Sequence, residues 1–376
     1  MTIINEHKKL NVPNLRFKEF KGEWEKCKLS EICTFFSGGT PSSSNKYFYG
    51  GDIAFIRSGE LHADNTELFI TQAGFDSSSA KIVEVGDLLL AMYGATSGDI
   101  AISKIEGAIN QAILCIRTKQ NKKFLESIWN KHVSKILRKY LQGGQGNLSA
   151  DIVKSISFSF PTLEEQERIA NLISLLDERI ATQNKIIEDL KKLKFAISHI
   201  LFSSKFTNHL SYIANVVMGQ SPSSNAYNDQ GIGMPLVQGN LDISNGKTTP
   251  RLYTSEFNQT AEEGNIILTV RAPVGEVAKA TKNVCLGRGV CAIIPHEENM
   301  SDFIYQYLTF YKFMWRKYEQ GSTFTSINGS DVRNILCPEV RNVSILTLLD
   351  RKISTEERVV KLYQKQKQYL LRQMFI

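Results

Sequence analysis

Hydrophobic positions along this chain keep two rhythms, and each rhythm occurs twice. Between residues 163 and 202 apolar side chains recur in steps of four and three: Ile169, Ile173, Leu176, Ile180, Ile187, Leu190, Ile197 and Leu201. Gln183 and Lys194 fill the two remaining places. That spacing is a coiled-coil seam, and a helix over these residues is ~60 Å long at 1.5 Å per residue. Pro161 stops whatever precedes it, and Thr162 with Glu165 predicts a capping box. The same rhythm returns in Leu346, Leu349, Ile353, Val360, Tyr363, Leu370 and Met374, with Glu356 and Lys367 as the polar entries. Ahead of each seam stand short aliphatic runs bounded by glycine, which predict strands: Asp52 to Ile56, Leu88 to Met92 and Ala112 to Ile116, then Leu236 to Val237, Ile266 to Val270 and Val290 to Ile294. An amphipathic helix follows in each half, near Phe124 to Leu141 and Phe303 to Glu319. A loop rich in Gly, Ser, Thr and Asn closes each globular part, Gly143 to Ser149 and Gly321 to Gly329.

These parallels are an internal repeat. Leu29-Ser30-Glu31-Ile32 and Gly38-Gly39-Thr40-Pro41 recur as Leu210-Ser211-Tyr212-Ile213 and Gly219-Gln220-Ser221-Pro222, an offset of 181 from Pro41 to Pro222. Gly86-Asp87-Leu88-Leu89-Leu90 recurs as Gly264-Asn265-Ile266-Ile267-Leu268, offset 178. Arg138-Lys139-Tyr140 recurs as Arg316-Lys317-Tyr318, also offset 178. Leu175-Leu176-Asp177 recurs as Leu348-Leu349-Asp350 and Phe202 as Phe375, offset 173. From Pro161 to Pro338 the offset is 177, so the second copy has lost four residues near Val340. Ordered matches with a slowly drifting offset predict a mixed α/β (α+β) chain of two similar globular domains and two long helices. The expected divisions are a first domain over 1–160, a first long helix over 161–204, a second domain over 205–338 and a second long helix over 339–376.

Two matching seams in one chain can pair with each other. An antiparallel pair about a local two-fold is expected to set Lys194 against Glu356 and Gln183 against Lys367, whereas a parallel pair opposes Lys194 and Lys367, which repel. The alternative is that the seams join two chains. An antiparallel pair within one chain serves as a spacer, and equivalent major-groove faces of B-DNA recur every ~34–36 Å. A pseudo-dimer on such a rod is suited to two half-sites around an unread gap, and unlike globular parts imply unlike half-sites.

The 376 residues suit two or more domains. Forty-five Lys and Arg against 38 Asp and Glu leave +7, compatible with a polyanionic partner. The N-terminal residues lack a secretory core segment, and no stretch approaches a membrane span. The six cysteines have no zinc spacing, which predicts reduced, buried thiols in a cytosolic protein. No local motif for catalysis stands out. There is no Pro-Pro pair, so no Asp/Asn-Pro-Pro-Tyr methyltransferase motif. Gly246-Lys247-Thr248 lacks the earlier glycine of a phosphate loop, because position 241 is leucine. Gly231-Ile232-Gly233 lacks the third glycine of a dinucleotide fingerprint, and the histidines are scattered.

With these features the chain resembles the specificity subunits of type I restriction-modification systems. The resemblance is carried by the duplication and by Gly39-Thr40-Pro41-Ser42 with its echo Gln220-Ser221-Pro222-Ser223, Gly94-Ala95-Thr96-Ser97-Gly98, Ala108-Ile109-Asn110-Gln111-Ala112, Gly143-Gly144-Gln145-Gly146-Asn147-Leu148-Ser149, and Pro161-Thr162-Leu163-Glu164-Glu165-Gln166. It covers nearly the whole chain. It implies two target-recognition domains that read a bipartite double-stranded DNA site, held apart by an antiparallel coiled coil. It implies a cytoplasmic, non-catalytic chain with no cofactor of its own and no metal or membrane contact. The implied partners are two methyltransferase subunits, which use S-adenosylmethionine, and two motor-nuclease subunits, which use ATP and Mg²⁺. Two departures bear on symmetry: the second copy lacks the Glu-Glu-Gln turn after Pro338, and Arg271-Ala272-Pro273-Val274-Gly275 replaces Tyr93 to Gly98.

Arg reads guanine, Asn and Gln read adenine, and Ser, Thr and Lys mostly hold phosphate. Candidate DNA contacts are therefore Thr40, Ser42, Arg57, Tyr93, Thr96, Asn110, Gln111, Gln145 and Asn147 in the first domain. In the second they are Gln220, Ser221, Gln238, Asn240, Arg271, Arg288, Thr323 and Thr325. Each also has a bland reading: Asn110 and Gln111 can satisfy a turn, and Arg57 can be a solvated strand end. Arg138-Lys139-Tyr140 and its copy, identical in both halves, read as scaffold or backbone clamps. The rival function is a non-catalytic protein–protein adaptor with a coiled-coil spacer, which has no salt-steep affinity for DNA.

Overall fold

The computed structural model describes residues 10–141, 147–203, 206–315 and 326–376. The chain divides into two compact units, residues 1–182 with 359–376, and residues 183–358. Each holds one globular copy of the repeat and part of each long helix.

In the first unit an antiparallel sheet runs in the order Cys33–Ser37, Ile113–Thr118, Leu88–Ala91, Ile100–Ile102. A second sheet runs Phe69–Ile70, Tyr49–Ile56, Gly107–Ile109, Lys81–Val83, with the middle pair parallel. The Leu88–Ala91 strand is buried throughout, which is why it reads as an unbroken aliphatic run and not as an alternation. Helix Lys122–Leu141 packs beside this sheet, burying Phe124, Leu125, Ile128 and Trp129 at helical spacing.

The second unit repeats the plan with more strands. Its larger sheet contains the order Ala214–Met218, Val290–Pro295, Ile266–Thr269, Val277–Lys279, and a five-stranded sheet centres on Met234–Val237. Registers match across the repeat: Cys33 faces Thr118 as Ala214 faces Pro295, and Leu88 faces Ile116 as Ile266 faces Ile293. Helix Ser301–Trp315 stands where Lys122–Leu141 stands in the first unit.

The long helices are Leu163–Phe202 and Ser344–Met374. None of the seam positions named above is exposed. Within the second unit Gln183 meets Glu356, Lys191 meets Glu357 and Lys194 meets Asp350; within the first, Lys367 meets Asp177. From Gln183 with Glu356 to Lys194 with Asp350 the partner number falls as the helix number rises, so the pairing is antiparallel, as expected. The expected register is corrected: Lys194 takes Asp350 and not Glu356, and Gln183 takes Glu356 and not Lys367. The aspartates flank the seam, one residue beyond Leu176 and Leu349, and the long lysine stems reach out of the seam to them.

Helix ends seal the cores. Phe202 is 1% exposed, with its ring 5.9 Å from Phe303 and 5.4 Å from Tyr307. Its repeat counterpart Phe375 lies 5.0 Å from Phe124 and 6.5 Å from Trp24. So each long helix ends in the globular core that comes next, and the second returns to the first.

The Glu-Glu-Gln turn is a lock. Glu165 receives Arg16 through Nε and Nη2 at 2.8 and 2.7 Å, and Trp24 Nε1 at 3.3 Å. Gln166 donates to Pro161 O and Gln120 Oε1 and accepts from Asn121 N. The expected capping box is thus half made: Thr162 Oγ1 accepts from Glu165 N at 3.4 Å, while the Glu165 carboxylate is taken by Arg16 and Trp24. Four cysteines are buried as expected, but Cys27 and Cys33 are only half-buried. Burial pushes the Cys291 and Cys337 thiols up to about 12, which leaves them unreactive.

Candidate nucleic-acid interface

The Gly-Gly-Thr-Pro motif is where a strand leaves its sheet against backbone. Gly39 N donates to Ile109 O at 3.2 Å, and in the second copy Gln220 N donates to Leu286 O at 2.9 Å. A Cβ on Gly38 lies 1.7 Å from Ile109 O and one on Gly219 2.1 Å from Gly287 O, so only glycine fits. The residues that follow are held at the strand ends. Thr40 Oγ1 donates to Gln111 Oε1, and Ser221 Oγ accepts from Arg288 N at 3.1 Å.

In the second unit the candidates converge. A cleft of about 340 Å³ is lined by Ser221, Gln238, Asn240, Arg271 and Arg288, five of the eight predicted there. Gln220 is exposed beside Ser221; Thr323 and Thr325 lie outside the described residues. Arg271 is exposed and forms an isolated bridge with Ser326, next to the cis bond between Ala272 and Pro273. Among the described residues neither Arg271 nor Arg288 has an acidic partner. The cleft also holds two residues that motif reading passed over, Arg251 and Asp242. Asp242 is 3% exposed, accepts from Gln238 N at 2.9 Å and from Arg251 Nε at 3.0 Å. With three arginines and one aspartate, the charged lining of the cleft is net cationic, suited to an anionic or acceptor-rich ligand.

In the first unit the candidates are more dispersed. Ser42 is exposed and shares a 2.8 Å hydrogen bond with Ser44. Tyr93 is exposed at the head of the Gly94–Thr96 turn, with Thr96 half-buried. Asn110 Oδ1 accepts from Ala112 N at 3.1 Å, a turn-stabilising bond. Asn147 is exposed, and Gln145 lies outside the described residues. Arg57 is gripped by Glu60 through Nε at 3.2 Å and Nη2 at 2.7 Å. Arg57 beside it holds the Glu60 carboxyl below the usual carboxylate range, against the opposing effect of burial.

Asp87, in the turn after Gly86, shows a difference between copies. It binds Glu84 N at 3.1 Å and Arg117 Nη2 at 2.7 Å. Burial raises its carboxyl, but Arg117 outweighs this and the group sits below its ordinary value. In the second copy Asn265 makes the same turn bond, to Glu262 N at 3.0 Å, and Ile294 stands where Arg117 stood. Charge and countercharge vanish together, which marks this site as architecture.

Among the described residues no cluster of His, Cys, Asp and Glu could hold a metal ion, and no helix is long and apolar enough to cross a membrane.

The family model for the type I restriction modification DNA specificity domain matches residues 21–192 and again 207–360. The chain belongs to that family. A relative is the putative type I restriction enzyme MjaX specificity subunit of Methanocaldococcus jannaschii, 27% identical, with 89% of this chain and 87% of that one covered. The EcoR124I/EcoR124II specificity subunit of Escherichia coli is 28% identical over 47% of this chain and 46% of its own. Among solved structures, the type I restriction-modification S subunit from M. genitalium matches with a TM-score of 0.65 at 18% identity, over 97% of this chain and 99% of that one. A chain from a study of complex assembly and conformational transition in a type I system matches at 0.59 and 21% identity, over 93% and 96%. These two likenesses establish the fold. As a member of a family of specificity subunits the chain is non-catalytic and serves DNA sequence recognition in a restriction-modification complex.

Proposed function

We propose that this chain reads a bipartite, asymmetric DNA site with an unread gap, one half-site per unit, and positions methyltransferase and motor-nuclease subunits on it. The observation that carries this reading is that one plan is built twice with unlike reading surfaces. Gln238 stands where the first copy has Arg57, and Arg271 where it has Tyr93. A repeat that conserves its architecture and varies its strand-end side chains is suited to two different short sequences. The DNA contacts we assign are Thr40, Ser42, Arg57, Tyr93, Thr96, Asn110, Gln111, Gln145 and Asn147 for one half-site. For the other they are Gln220, Ser221, Gln238, Asn240, Arg271, Arg288, Thr323 and Thr325. S-adenosylmethionine, ATP and Mg²⁺ belong to the partners, two of each kind.

The test is co-expression with the methyltransferase subunit of its own locus, followed by genome-wide mapping of N6-methyladenine. The expected map is two unlike short half-sites around a fixed gap. An adaptor instead gives no new methylation beside an active partner, and no salt-steep DNA binding.

A further inference from the structure

Arg251 was not marked by any motif, yet it stands in the cleft at a position the first unit fills by another route. Strand Leu252–Thr254 pairs antiparallel with Met234–Val237, Leu236 facing Leu252. That register brings Arg251, one residue earlier, beside the strand end that carries Gln238. There the Asp242 carboxylate takes Gln238 N at 2.9 Å with one oxygen and Arg251 Nε at 3.0 Å with the other.

The first unit has the same device with its parts exchanged. Glu60 takes Arg57 N at 3.0 Å and also the Arg57 guanidinium, through Nε and Nη2. Thr66, from the segment leading into the crossing strand Phe69–Ile70, adds a hydroxyl to Glu60 at 3.2 Å. So in one copy the strand end supplies the guanidinium and the crossing segment a hydroxyl. In the other the crossing segment supplies the guanidinium, and the strand end carries glutamine.

We propose that Arg251, held by Asp242, is a specificity-determining residue of the second unit and the functional counterpart of Arg57 held by Glu60. This rests on the reading that the strand-end surfaces bind DNA. Both arginine side chains are exposed, 59% and 49%, while the side chains of their carboxylate partners are only 4% and 16% exposed. Each is therefore anchored from within and presented outward. Asp242 engages Nε, so the Nη1–Nη2 edge of Arg251 faces away from its anchor with two parallel donors. That fork matches the O6 and N7 acceptors of guanine in the major groove. Asp242 is a positioning residue in this arrangement.

The experiment uses the complex with the methyltransferase subunit, reading methylation maps and DNA affinity together. Arg251→Gln is expected to relax discrimination for guanine at one base pair about tenfold or more. That base pair lies in the half-site that domain exchange assigns to residues 205–338; the other half-site and the gap stay unchanged. Arg251→Lys keeps the charge but not the fork, and is expected to relax the same position while non-specific affinity holds. Asp242→Asn is expected to relax that position too, and less. An unchanged motif in Arg251→Gln, full discrimination in Arg251→Lys, or equal loss on all sequences overturns the assignment. A wild-type complex without a two-part motif instead removes the underlying reading.

Discussion

Lys194 Nζ lies 2.5 Å from Asp350 Oδ1, and Lys367 Nζ makes the same bond with Asp177 one repeat offset away. Gln183 and Glu356, themselves 173 residues apart, are each other's partners. The offset that relates the two helices in sequence thus relates their polar contacts. The Lys194 and Asp350 side chains are 17% and 37% exposed, so solvent screens the pair. A double-mutant cycle with Lys194→Ala and Asp350→Ala is expected to give a coupling of about 0.5–1 kcal/mol in urea unfolding. Coupling at zero makes the pair incidental to register.

Asp177 ties this network to pH. Burial raises its carboxyl, but hydrogen bonds from Lys123 and Lys367 outweigh burial and hold it below its ordinary value. A carboxylate depressed in the folded state adds stability above its unfolded value, ~3.9 for Asp, and loses it as pH falls through the folded one. Unfolding followed from pH 7 down to pH ~2 is expected to show an acid-labile limb that Asp177→Asn flattens. An unchanged limb in that variant places the acid sensitivity elsewhere.

Glu165 has an asymmetric role, since the second copy lacks the turn that carries it. It is 1% exposed and accepts two bonds from Arg16 and one from Trp24. Glu165→Ala leaves a guanidinium only 16% exposed with no carboxylate, and is expected to cost about 3–5 kcal/mol in chemical denaturation. A loss under 1 kcal/mol means Arg16 swings out to water.

Phe375 closes the first core from the far end of the chain. Phe375→Ala empties a site beside Phe124 and Trp24 and is expected to cost about 3–5 kcal/mol. Hydrogen exchange locates the effect: protection is expected to fall in helix Lys122–Leu141. Exchange that rises only in the last turn of Ser344–Met374 shows the core closing without it.

The long helices were legible from their periodicity and the buried strands from unbroken aliphatic runs, while the antiparallel sense followed from the like charges that a parallel seam opposes. Leu88–Ala91 and residues 266–268 are aliphatic for the same reason in both copies: every residue is buried. The helix register was not legible from seam residues alone. Lysine stems span more than one position, so the partners of Lys194 and Lys367 stood outside the seam. Glu165 looked like a cap because its spacing from Thr162 fits, but Arg16, 149 residues away in sequence, outcompeted the local bond. In the cleft, Arg271 and Arg288 stood out as arginines next to strand runs. Arg251 and Asp242 did not, because strand register and not motif brings them together.

Arg271 offers the sharpest separation between reading and holding DNA. It is exposed, has no acidic partner among the described residues, and shares the cleft with Arg288 and Gln238. Truncating a guanidinium that pairs with guanine removes a contact made on the correct sequence alone. Truncating one that holds phosphate removes the same energy from every sequence and lowers the salt slope by about one. Arg271→Ala is expected to weaken specific binding by about 1–3 kcal/mol and leave non-specific binding nearly unchanged. Anisotropy titrations on cognate and scrambled duplexes at two salt concentrations measure both terms. Parallel losses on the two duplexes, with a shallower salt slope, reassign Arg271 to the phosphate backbone and leave base readout to its neighbours in the cleft.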